Sequence, residues 1–123
     1  MLALALPRLA AWRDRWAVDH AMLEVIAFYQ SARFHAVARS RFVRLEFAPD
    51  TLVAVYQGVT DSVAFGRPGP ARHGVTLVTS RRSVVIAPTG IGWGAANTKI
   101  VLRRGDAGDS LTTSRLGRLK RWD

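Results

Sequence analysis

Cysteine is absent from the 123 residues, so the chain can hold neither a disulfide nor a thiolate metal site, and its redox compartment stays open. Lysine is almost absent as well. Lys99 and Lys120 stand alone among eighteen basic residues, against nine Asp and Glu. The net charge is +9 and the pI ≈ 11.5. That balance favours anionic partners: nucleic acid, anionic lipid headgroups or an acidic protein face. It is equally compatible with arginines that only solvate a surface. Long apolar runs are missing too. Met1 to Leu6 is wholly apolar, but a bilayer crossing takes about twenty such residues. Arg8, Arg13, Asp14 and Arg15 follow at once, so no transmembrane helix is expected in this stretch. The charges come after the apolar run, the reverse of a secretory signal.

From Leu2 to Ala38 there is no glycine, and Pro7 is the single proline. Ala, Leu, Arg, Met and Glu dominate, all good helix formers. Leu9, Trp12, Trp16, Leu23, Ile26, Ala27, Phe34 and Val37 recur at helical steps and predict one apolar stripe, interrupted by Asp19 and Gln30. A helix of about thirty residues is roughly 45 Å long, more than a small core can cover. Part of it is expected to project or to lean on a partner. The apolar stub 1–6, with Trp12 and Trp16 behind it, suits the edge of a membrane, where Trp and Arg anchor at headgroup level. An N-terminus packed on its own domain is the alternative.

After Ser40 the period changes. Phe42–Phe47 and Leu52–Tyr56 read as strands joined by the turn Ala48-Pro49-Asp50-Thr51. Gly66-Arg67-Pro68-Gly69-Pro70 is loop by composition. Further strands are predicted at Gly74–Val78, Val84–Ile86, Thr98–Leu102 and in a tail from about Ser110 to Leu119. The fold class is therefore α+β: a long amphipathic N-terminal helix (1–39) followed by a small antiparallel β-sheet domain (40–123).

Catalytic patterns are not found. His20, His35 and His73 form no H-x-x-x-H or H-E-x-x-H spacing, and no serine lies in a G-x-S-x-G or S-x-x-K context. Asp106 and Asp109 share a glycine-containing turn. Calcium takes about six to eight oxygens, however, and Arg103 and Arg104 oppose a cation there, so a plain hairpin is the better account. Gly90-Ile91-Gly92-Trp93-Gly94 lacks the helix start and lysine of a phosphate loop; Trp93 is either a contact residue or core filling. No metal, cofactor or enzymatic activity is expected.

The tail alternates basic and apolar residues from Arg115 through Arg118, Lys120 and Arg121 to Trp122. As a strand it would show cations on one face and leucine on the other. Such a face suits phosphates, with steep salt dependence and Trp122 available to stack on a base. It suits an acidic protein or lipid headgroups equally.

The order of these pieces resembles the GspH/FimT family, minor pseudopilins of type II secretion and type IV pilus systems. Ala3-Leu4-Ala5-Leu6-Pro7 looks like the second half of that family's membrane helix. Phe28–Arg39 is similar to its arginine-bearing helix end, Ile86-Ala87-Pro88-Thr89-Gly90 to its F-x-P-x-G turn, and Ser114–Arg118 to its closing strand. The peptidase site and full apolar run that open family members have no counterpart ahead of Leu4; His20–Val25 echoes that site only faintly. The resemblance implies a pilin-like, non-enzymatic structural subunit of a membrane-associated assembly, with the β domain on the periplasmic side. Other protein subunits would be its partners, and Leu2, Leu4, Leu6, Trp12 and Trp16 its membrane or partner contacts. Two alternatives remain. One is an accessory subunit of another large membrane complex built on a recruited pilin-like fold. The other is a DNA-binding protein using Arg115, Arg118, Lys120 and Arg121, because Gly117-Arg118-Leu119-Lys120 is similar to a G-R-x-R motif attributed to FimT-type proteins.

Overall fold

The computed structural model describes residues 2–94 and 96–122, with side chains described from Arg8 onward. Helix α1 runs unbroken over Leu2–Arg39, about 57 Å at 1.5 Å per residue. It ends without glycine: Ser40 takes a left-handed φ of 50°, and the Arg41 amide returns to the Ala36 carbonyl at 3.1 Å, closing the last turn.

The stripe predicted from spacing is, apart from Ile26, not the one that packs. Leu9, Trp12, Trp16, Leu23, Phe34 and Val37 are all exposed, while Ala17, Val18, Ala21, Met22, Val25, Phe28, Tyr29, Ala32 and Ala36 are buried. At 100° per residue the two sets lie on opposite sides of the helix. The helix is thus apolar on both faces. The buried face owns the alanines, whose small side chains let the helix axis approach the sheets closely. The larger Val25, Met22 and Phe28 fill the space between, each contributing about 1.5–3 kcal/mol. Arg8 to Arg13 are exposed throughout, so the front of the helix stands clear of the core.

The rest of the chain forms two antiparallel sheets instead of one meander. The first comprises β1 (Val43–Phe47), β2 (Thr51–Tyr56), β3 (Ser62–Pro68), β5 (Ser83–Ile86) and β6 (Gly92–Trp93), in the order β3-β2-β1-β5-β6. The second comprises β4 (Thr76–Thr79), β7 (Thr98–Arg104), β8 (Ala107–Thr113) and β9 (Leu119–Trp122), in the order β4-β7-β8-β9. Two expectations change. The segment 66–68, read as loop, closes β3, an edge strand on which glycine and proline are tolerated. The tail is two strands, because Ser114–Gly117 turns the chain back, with Gly117 at φ 86°. The helix packs across the inner faces of both sheets, against Leu45, Phe47, Leu52, Ile86, Ile100, Leu102 and Leu111.

Candidate functional site

No group of three or more His, Asp or Glu side chains that could hold a metal occurs among the described residues. What the structure offers instead is surfaces. The first is the outward ridge of α1. Trp12 is 69% exposed and Phe34 70%, and Leu23 stands between them on the same face. Trp16 lies against the His20 ring at 4.0 Å between centroids. Leu2, Leu4 and Leu6 precede this ridge, with side chains outside the described residues. Beside its far end an open groove of ≈ 690 Å³ runs between α1 and the edge strand β3, lined by Phe34, His35, Phe65 and Arg67. His35 Nδ1 is hydrogen-bonded to the Tyr56 hydroxyl at 2.7 Å and stacks on Phe65, which fixes the wall of the groove.

Ion pairs along both flanks of the buried stripe clamp the helix to the sheets. Every carboxylate of α1 takes part: Asp14 with Arg104 at 3.0 Å, Asp19 with Arg121 and Arg15, Glu24 with Arg72 and His73. Partial burial works against the charge on Glu24. Hydrogen bonds from His73 and Arg72 outweigh it and hold the carboxyl below its ordinary pKa. Asp19 behaves alike: desolvation raises it, and the bonds from Arg121 and Arg15 bring it lower.

The tail is only partly the cationic face that alternation predicted. Arg118 and Lys120 are exposed, and Arg115 is exposed in the turn before them. That turn is pinned, since the Arg115 amide donates to the Asn97 side chain at 2.7 Å and its carbonyl accepts from Gly92 at 2.6 Å. Arg121 must be removed from the anion-contact set. It points inward, its Nε donating at 2.8 Å to Asp109 Oδ2, a carboxylate with no exposed side-chain area. Arg15 reaches the same oxygen at 2.6 Å. The reason is register: Leu111 faces the core on β8, so Asp109, two residues away, must face it too, and a buried carboxylate needs cations. Sequence reading placed Asp109 in a turn and missed this role, although the period-two pattern of β8 carried the signal. Trp122 is held as well. Its Nε1 donates to Thr112 Oγ1 at 3.0 Å, and Lys120 Nζ sits 3.9 Å above the ring.

Trp93 proves to be an exposed side chain, with its ring edge-on to Phe42 at 5.2 Å. No described helix is long and apolar enough to cross a membrane.

No family model matches the chain, and no curated protein matches it. Solved structures do. The type IV minor pilin FimU of Pseudomonas aeruginosa superposes in two crystal forms. One has a TM-score of 0.70 at 16% identity, covering 85% of this chain and 92% of FimU. The other scores 0.71 at 18% identity, covering 86% and 88%. The minor pseudopilin EpsH of the Vibrio cholerae Type 2 Secretion System superposes with a TM-score of 0.56 at 12% identity, covering 82% of this chain and 94% of EpsH. With one long helix lying across two antiparallel sheets, this chain has the pilin-like α+β fold of these minor pilins and pseudopilins.

Proposed function

We propose that the chain is a non-enzymatic, pilin-like structural subunit of a membrane-associated pilus or pseudopilus, with its β domain on the periplasmic side. The observation that carries this reading is the second apolar face of α1. One face is consumed by the subunit's own sheets, and the other presents Leu9, Trp12, Trp16, Leu23, Phe34 and Val37 to the surroundings. Isolated exposed apolar residues need no explanation, but an apolar ridge along a helix of 38 residues marks an interface. A neighbouring helix is the natural occupant, because ridges at helical spacing interdigitate. Leu2, Leu4, Leu6, Trp12 and Trp16 would contact the membrane edge or adjacent subunits where the helix stands clear of the domain.

The absence of cysteine makes the test direct. Leu23→Cys and Phe34→Cys variants, expressed in the native cell, labelled with a maleimide–benzophenone reagent and irradiated so that the benzophenone inserts into nearby C–H bonds, should yield adducts containing pilin-type subunits. Val59→Cys, at the fully exposed β2–β3 loop tip, should yield none. Ridge cysteines that give no more protein adduct than the Val59 control would remove the assembly reading.

A further inference from the structure

The outer face of the second sheet, turned away from α1, has an organisation that the helix ridge does not explain. Its strands send outward Val78 from β4, Lys99, Val101 and Arg103 from β7, and Lys120 and Trp122 from β9. Register gathers them. Lys99 pairs with Thr112, which pairs with Lys120, so two cations stand across a hydroxyl about 10 Å apart. The next outward row runs Val78, Val101, Ser110, Trp122. The row beyond it holds Arg103, about 14 Å along the strand from Lys99. A largely apolar row, interrupted by Ser110, thus has Lys99 and Lys120 along one side and Arg103 along the other. None of the outward side chains on these four strands is acidic, and Lys99, Arg103 and Lys120 make no salt bridge among the described residues.

We infer that this face docks an acidic protein surface with aliphatic side chains at its centre, supplied by a different polypeptide. Three observations choose that occupant. The aliphatic Val101 on an inner strand with Val78 beside it, flanked along the strands by Lys99, Lys120 and Arg103, gives the apolar core and charged rim of a protein–protein contact. A nucleic acid would use the tryptophan for stacking, but Lys120 covers one face of the Trp122 ring and Thr112 holds its Nε1. A second copy of this chain has little to offer in return. Asp14, Asp19, Glu24, Glu46, Asp61 and Asp109 are already engaged by arginines within the subunit, which leaves Asp50 and Asp106, on separate turns, as the exposed carboxylates outside those pairs among the described residues. This surface is distinct from the ridge, so the inference holds or falls independently of the assembly proposed above.

The experiment measures fluorescence anisotropy of a short labelled peptide alternating Glu and Val against the intact chain, with oligo-dT and phosphatidylglycerol vesicles in parallel. Peptide binding should weaken as salt rises and fall by about tenfold in Lys99→Glu/Arg103→Glu/Lys120→Glu. A peptide alternating Lys and Val should bind that variant better than it binds the parent. Leu23→Glu should leave the peptide affinity unchanged, which separates this face from the ridge. The milder Lys99→Gln/Arg103→Gln/Lys120→Gln variant gives the same readout should the reversal fold poorly. Failure of the acidic peptide to bind at low salt, affinity indifferent to both triple variants, or tighter binding of the oligonucleotide or vesicles would each overturn the inference.

Discussion

Arg121, in the last strand, donates to Asp109 in the strand beside it, and the same guanidinium reaches Asp19 on the helix. One side chain thus ties the end of the chain to the first element. Because the Asp109 carboxylate is wholly buried, removing its cations leaves a charge without water or partner. Arg121→Ala should cost about 2 kcal/mol, since Arg15 stays in contact, and Arg15→Ala/Arg121→Ala about 3–5 kcal/mol. Urea unfolding measures both. The tail should also loosen, seen as faster amide exchange over β9. A double variant as stable as the parent would mean that the Arg15 and Arg121 contacts to Asp109 do not hold the fold together.

Acid should unfold this protein through the helix clamp. Asp19 and Glu24 have folded-state pKa values below the ordinary 3.8 and 4.5. Groups shifted in that direction bind fewer protons folded than unfolded around those values. Their contribution is complete above the ordinary carboxylate range and is lost as pH falls through the lowered folded values. The melting temperature should therefore hold down to about pH 5 and then decline. Asp19→Asn/Glu24→Gln should start lower at neutral pH and show a shallower acid limb. An unchanged acid limb would contradict the clamp.

Tyr29 is buried and its hydroxyl has no hydrogen-bond partner among the described residues; burial raises its pKa. Its ring packs the core, whereas its oxygen only loses solvation. Tyr29→Phe should stabilise the fold by about 1 kcal/mol, visible as a melting temperature higher by about 4 °C. A loss of stability would reveal a partner for the hydroxyl, such as a bound water.

Ser40 closes α1 in the left-handed region, where a side chain is strained and glycine is not. Ser40→Gly should stabilise by about 0.5–1 kcal/mol, and Ser40→Val should destabilise by more than that gain, since β-branching resists positive φ. Chemical denaturation of the pair checks the sign.

Much of the architecture was legible in local pattern. The glycine-free stretch to Ala38 announced the helix, and alternation around Leu45, Val53, Val85 and Ile100 announced strands close to their observed bounds. The strand β3 was not legible, because Gly66 and Pro68 are breakers everywhere except on an edge. Of the tail's four cations, Arg115, Arg118 and Lys120 stay exposed. Arg121 does not, and its partners Asp19 and Asp109 are remote in sequence or hidden by strand parity.

Composition and periodicity by themselves determined a basic chain without cysteine chemistry, one continuous helix and a set of short antiparallel strands, since these depend on neighbours a few residues apart. Tertiary structure alone decided which of two apolar helix faces went inside. Both satisfy helical spacing, and the choice fell to the side where Ala17, Ala21, Ala32 and Ala36 let two sheets come near. It also decided which cations were spent internally and which were left on the outer sheet, because strand register, not sequence spacing, sets where a charge points.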